Sequence, residues 1–190
     1  MRCTISSRRD LPTWLVVILS LSYPAVVYLA HRSWSPRVLA LVLVFLAAVW
    51  WLRPGVVPVS RGLIWGALLL AVLAIGLEDT LPLKLYPVLV NAVLLVVFAA
   101  SLWFPPPVVE RIARLRDPDL PPEAVMYTRK VTQVWCIFFT GNGLLALWTV
   151  LWGSEQVWFW YNGVIAYLLI GGLFAGEWCV RRRLMRAQHG

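Results

Sequence analysis

Six runs of apolar residues separated by short polar joints constrain this chain more than anything else in it: roughly Leu11–Ala30, Val38–Leu52, Leu63–Leu77, Leu85–Phe104, Val131–Trp152 and Val157–Trp178. Several approach the ~20 residues with which a helix crosses ~30 Å of hydrocarbon. With 61% hydrophobic and 14% charged residues, the chain has too little polar surface to coat a soluble globule. Only helices and closed barrels satisfy every backbone group in lipid, and these runs are too long and too uniformly apolar for alternating barrel strands. The expected fold is all-α: a polytopic transmembrane helical bundle of about six spans, forming one integral membrane domain over residues 1–190.

Charge gives the bundle a direction. Met1–Asp10, Arg53–Gly62, Pro105–Lys130 and the tail after Trp178 hold 3, 2, 5 and 4 Lys or Arg. The intervening segments, His31–Arg37, Glu78–Lys84 and the turn at Gly153–Gln156, hold 2, 1 and 0. Basic residues stay on the cytoplasmic side, so 14 against 3 places both termini in the cytoplasm. The twelve tryptophans fall near span ends, as indoles at two membrane interfaces would. Trp14, Trp50, Trp51, Trp65, Trp103, Trp135 and Trp178 fall at the inner boundary, and Trp34, Trp148, Trp152, Trp158 and Trp160 at the outer one. A net charge of +8 arranged as flanks of apolar runs reflects membrane insertion, and no nucleic acid is expected as a partner. Arg8-Arg9 ahead of the first run is similar to a twin-arginine signal, but the run is long for one, and bulky Tyr28 occupies a position that a cleavage site near Ala30 wants small. A retained anchor is expected. Cys3, Cys136 and Cys179 all map to the cytoplasmic half, where no disulfide is expected.

The second and third runs are the shortest, 15 residues each, and a re-entrant pair is the alternative to two full spans. Pro58 can begin the third helix early, with Arg61 reaching to the interface. The one sizeable polar segment is Pro105 to Lys130. Val108, Val109, Ile112 and Leu115 recur there at helical spacing, opposite Glu110, Arg111, Arg114 and Arg116. That pattern predicts a short amphipathic cytoplasmic helix between spans 4 and 5. It either lies on the inner leaflet or packs against the end of the bundle. Pro121, Pro122 and Glu123 then start the fifth helix well below the membrane.

Polar groups within lipid are costly and point to function. A rise of 1.5 Å per residue puts Asn91 roughly 9 Å, Asn142 roughly 15 Å and Asn162 roughly 8 Å below the outer boundary. If they meet, with Tyr86 and Tyr161 above them, they form a polar intramembrane pocket for a lipid head group or the polar end of a substrate. The competing reading is that asparagines beside Gly141, Gly143 and Gly163 bond across close-packed helices. A second collection, Arg111, Arg114, Arg116, Arg129, Lys130 and Glu177, forms a candidate cytoplasmic docking surface, with Glu177 expected to pair with Arg181 one turn on. Glu78 and Asp79 are adjacent carboxylates with no histidine near them in sequence. The chain has no P-loop, G-x-S-x-G elbow, H-E-x-x-H or C-x-x-C, so no catalytic residue, cofactor or metal ligand is assigned.

Lys84-Leu85-Tyr86-Pro87-Val88-Leu89-Val90-Asn91, Pro118-Asp119-Leu120-Pro121-Pro122-Glu123-Ala124-Val125, Tyr127-Thr128-Arg129-Lys130-Val131-Thr132, Val134-Trp135-Cys136, Tyr161-Asn162-Gly163 and Ala175-Gly176-Glu177 carry a resemblance. They resemble a family of small uncharacterised bacterial inner-membrane proteins that occur with fatty-acid-synthase-like enzymes making aryl polyene pigments of the xanthomonadin type. The likeness covers roughly residues 80 to 183. It implies an inner-membrane location and a link to acyl or polyene assembly, and it brings no catalytic residues. The leading expectation is a non-enzymatic component that docks such an assembly, through an acyl carrier protein or another of its enzymes, or helps its product enter the bilayer. An integral membrane acyl- or glycosyltransferase using Glu177 or Glu78 and Asp79, and a small transporter of a lipid-like molecule passing the asparagines, are the alternatives.

Overall fold

The computed structural model describes residues 22–30, 34–52 and 58–187, and every regular element among them is helical. In chain order these are α1 (Tyr23–Ala30), α2 (Pro36–Trp51), α3 (Pro58–Leu77), α4 (Leu81–Lys84), α5 (Tyr86–Trp103), α6 (Val108–Arg114), α7 (Pro122–Leu151), α8 (Glu155–Trp160), a π-helical turn (Tyr161–Ile165) and α9 (Ala166–Ala187). Proline sits in the first turn of α2, α4, α5 and α7, where its missing N–H costs nothing and its fixed φ suits a helix start. Ser154 begins α8 as a side-chain cap, its Oγ accepting from Val157 N, with Glu155 in the first turn. Ser101 does the same for α6 from a distance: its Oγ accepts from Val108 N at 3.0 Å.

Among the described residues three helices are long and apolar enough to cross a membrane: α5, α7 and the continuous rod Glu155–Arg182. At 30 residues α7 is about 45 Å long, well over the ~30 Å of hydrocarbon that a span must cross. The apolar helices Pro36–Trp51 and Arg61–Leu77 are shorter. Most of the first expected span, Leu11 to Leu21, lies outside the described residues.

The packing is pairwise. α2 lies against α3, α5 lies against α7, and α3 meets α5 to join the pairs. Glycine makes that joint close, since a Cβ on Gly66 would stand 2.6 Å from both Leu89 methyls. On the α5–α7 seam a Cβ on Gly143 would stand 3.1 Å from that of Asn91. Without a hydrophobic force between helices in lipid, such close approach supplies the attraction. α4 forms a corner at one end of the bundle. Its last carbonyls, left free by so short a helix, are taken by side-chain donors: Tyr23 Oη donates to Leu83 O at 3.0 Å, and Trp158 Nε1 to Lys84 O at 3.2 Å. Lys84 pairs with Glu155, and Arg37 with Glu78. At the other end Trp135 and Phe139 stack among Phe98, Phe138 and Phe174.

Two tryptophans depart from the interfacial role expected of them. Trp158 is 1% and Trp135 7% exposed, the first held by its bond to α4 and the second at the heart of the aromatic cluster. Trp34, Trp51, Trp65, Trp103, Trp148, Trp152, Trp160 and Trp178 are exposed, in keeping with interfacial indoles.

Candidate functional site

Asn91 on α5, Asn142 on α7 and Asn162 in the π-helical turn come from three separate helical elements and are 8%, 6% and 4% exposed. All three line one cavity of about 570 Å³, together with Tyr86 at the start of α5. Ligand sites commonly fall in the ~300–1,000 Å³ range. The rest of the wall is largely aliphatic and aromatic, from Leu43 and Trp50 on α2, through Ile64 on α3 and Phe139 on α7, to Ile170 on α9. The cavity therefore lies between the α2–α3 pair and the α5–α7 pair, flanked by α9.

The asparagines are held by a defined set of bonds. Asn142 Nδ2 donates to Asn91 Oδ1 at 3.0 Å, joining α5 to α7 where Gly143 permits close approach. Asn91 Nδ2 donates to Pro87 O at 2.8 Å, a carbonyl one turn back. Tyr161 Oη donates to Asn142 Oδ1 at 2.9 Å. Asn162 Nδ2 donates to Thr149 Oγ1 and to Trp158 O, each at 3.0 Å. Thr149 Oγ1 itself donates a hydrogen bond to Ala146 O at 2.7 Å, which leaves its lone pairs to accept. The bonds Asn142–Asn91, Thr149–Ala146, Asn162–Thr149 and Asn162–Trp158 join buried groups, where a low dielectric makes pairing obligatory, and those to Pro87 O and from Tyr161 are part-buried.

Asn91 and Asn142 bond across a close helix interface, and all three asparagines face a shared space. Tyr161 departs from its expected place. It does not line the cavity but stands behind Asn142 and fixes its amide, whereas Tyr167, Trp50 and Phe139, which sequence reasoning passed over, do line it. The π-helical turn accounts for the shift. One extra residue in the turn alters the helical phase, so that Tyr161 and Asn162 both bond to α7, at Asn142 and Thr149. Gly141, expected beside the interface, has open space where a Cβ would stand.

The candidate docking residues divide. Arg111 turns back on the end of α5, with Nε donating to Pro106 O at 2.7 Å and a terminal nitrogen to Phe104 O at 3.3 Å. Arg114 pairs with Glu110 at 2.8 Å and donates to Pro118 O at 2.8 Å. Glu110, expected on the polar face of α6, is 5% exposed and buried, while Ile112 and Leu115 on the supposed apolar face are exposed. α6 packs Val109 against the Trp135 cluster, and that rotation carries Glu110 inward under Arg114. Arg116, Arg129 and Lys130 stay exposed. The expected Glu177–Arg181 pair does not form: among the described residues the Glu177 carboxylate makes no ion pair. An exposed pair one turn apart is worth only tenths of a kcal/mol, too little to hold two long side chains. The backbone of Glu177 accepts instead from Tyr127 Oη at 3.3 Å, tying α7 to α9, and Arg182 lies over the Trp178 ring at 3.6 Å.

The adjacent carboxylates Glu78 and Asp79 are occupied by structure: Glu78 by Arg37, and Asp79 by the backbone N–H of Leu81 at 3.0 Å. Among the described residues no three His, Cys, Asp or Glu side chains lie together as metal ligands would, and Cys136 and Cys179 are free thiols. Comparison of the chain with protein-family models, with curated proteins and with solved structures finds no match.

Proposed function

We propose that this chain is a six-span protein of the bacterial cytoplasmic membrane, with both termini in the cytoplasm, which holds an acyl- or polyene-like molecule in its bundle as that molecule enters or moves within the bilayer. The observation that carries the reading is the cavity. A largely apolar space of about 570 Å³ inside a membrane bundle, with three buried asparagines in its wall, suits a lipid-like guest with one polar end. Among the described residues no carboxylate or histidine lines that space, which supports a holding role over transferase chemistry there.

Two further observations support the layout. The α2–α3 pair turns Leu41, Phe45, Trp65, Leu69 and Val72 outward, a surface suited to lipid contact along both helices. The basic residues gather on alternate joints, as positive-inside insertion requires. A cytoplasmic partner such as an acidic carrier protein would meet Arg116, Arg129 and Lys130, since Arg111 and Arg114 are engaged within the chain.

The test is genetic and chemical. Ala67 is buried and lines the cavity, so phenylalanine there fills space without adding charge. A deletion strain is complemented with the wild-type chain or with Ala67→Phe at equal protein level, and the apolar extract of its membranes is profiled. Wild type should restore an acyl or polyene component that Ala67→Phe does not. Identical extracts from the deletion and from both complemented strains would overturn the reading.

A further inference from the structure

Resting on the cavity reading above, we infer that the guest is an uncharged amphiphile: a long apolar chain ending in a neutral group, such as a hydroxyl or amide, that both donates and accepts hydrogen bonds, seated against Asn91, Asn142 and Asn162. An amide offers two donor hydrogens and a carbonyl with two lone pairs. Asn91 spends one hydrogen on Pro87 O and one lone pair on Asn142. Asn142 spends one hydrogen on Asn91 and one lone pair on Tyr161. Each of these two keeps one donor and one acceptor. Asn162 spends both hydrogens, on Thr149 and Trp158, and keeps its carbonyl. The wall therefore presents both kinds of partner side by side, with acceptors in excess.

Charge is what the wall lacks. Among the described residues lining the cavity there is no Lys, Arg, His, Asp or Glu. A phosphate or carboxylate brought there would shed its water and meet carbonyl oxygens with no cation to balance it, at a cost of several kcal/mol per ion. The charged groups nearest in sequence are spent elsewhere: Lys84, two residues before Tyr86, pairs with Glu155 and lies outside the lining. A purely aliphatic guest would fill the apolar wall but leave the remaining amide hydrogens of Asn91 and Asn142 unanswered. A head that both donates and accepts satisfies them, and such pairing is what a buried polar site selects for.

The test uses the full chain in phosphatidylcholine nanodiscs and three probes with a diazirine in the same place on the same chain: a long-chain alcohol, the matching alkyl phosphate and the matching alkane. After illumination, labelled residues are mapped by mass spectrometry. The alcohol should label Ala67, Leu94 and Tyr167 in competition with unlabelled alcohol, at about tenfold or more the yield of the phosphate. It should also exceed the alkane there, and that second preference should vanish in Asn91→Leu with Asn142→Leu. Phosphate labelling equal to or above the alcohol, or alkane equal to alcohol in the wild-type chain, would overturn the inference while leaving a chain-binding cavity in place. If no probe labels the cavity while exposed Leu168 and Phe174 are labelled by all three, the cavity reading itself fails. Because the comparison between probes is made on the wild-type chain, it stands even if the double variant does not fold.

Discussion

Replacing Asn142 by leucine tests the polar link between α5 and α7, because leucine keeps the branched shape of asparagine and removes its polar atoms. Two bonds are lost, to Asn91 Oδ1 at 3.0 Å and from Tyr161 Oη at 2.9 Å. Side-chain hydrogen bonds between membrane helices average ~0.6 kcal/mol and reach ~1.7 kcal/mol. The Asn91 carbonyl is buried and keeps no other protein donor given by the bonds above, which adds part of the ~1–3 kcal/mol penalty of an unsatisfied buried group. Leucine regains some of this through its preference for an apolar setting. The expected net loss is about 1–3 kcal/mol. Asn91→Leu should cost less, since Asn142 keeps its bond from Tyr161. The pair together should cost less than the two separately, by a coupling of about 0.5–2 kcal/mol, because the second change removes a group already orphaned by the first. Unfolding of the four proteins in mixed micelles with increasing sodium dodecyl sulfate, followed by circular dichroism, gives the cycle. Single effects that add to within about 0.3 kcal/mol would mean that the two amides do not meet, and the polar wall would be refuted.

Other expectations follow from particular contacts. Gly66→Ala should change stability by no more than about 1 kcal/mol in the same unfolding assay, since its methyl meets only the mobile end of Leu89, at 2.6 Å, and alanine regains ~1 kcal/mol of helix propensity; a loss above about 2 kcal/mol would mean that Leu89 cannot move aside. Arg114→Leu should destabilise more than Glu110→Gln, by about 1 kcal/mol or more, because the first leaves a buried carboxylate without its cation and the second only weakens a half-exposed arginine. Equal losses would show that Glu110 is not buried beneath Arg114. Glu78 ends α3 with φ 52°, a left-handed conformation that asparagine tolerates better, and its pair with Arg37 is exposed on both sides. Glu78→Asn should therefore be neutral or stabilising by about 0.5–1 kcal/mol, and a clear loss would give the exposed pair more weight than its setting allows.

Helix positions were largely readable from residues, and helix rotations were not. Pro36, Pro58 and Pro122 mark helix starts because their chemistry suits the first turn and little else, and the predicted early starts at Pro58 and Pro122 are where the helices begin. Depth put Asn91, Asn142 and Asn162 in the same half of the bundle, since rise per residue is fixed, but that they line one space is given by packing. Which face turns inward is a different matter. A helix apolar on every side carries little periodic signal, so Trp135 and Trp158 read as interfacial when packing had buried them. Tyr161 stands behind the cavity because a π-helical turn changes the phase by one residue, and no pattern in Tyr161-Asn162-Gly163 announces that turn. Glu110 turns inward for a third reason: α6 is only 7 residues long, and Val109 packs against the aromatic cluster.

The central claim, that the space between the two helix pairs holds a single amphiphilic guest, is tested most directly by weighing the intact protein as it is released from native membranes into the mass spectrometer. Wild-type chain should carry one additional apolar molecule, and Ala67→Phe, with its side chain in the cavity, should fly without it while unfolding at least as reluctantly as wild type. A bare wild-type mass, or the same adduct on both proteins, would contradict the account.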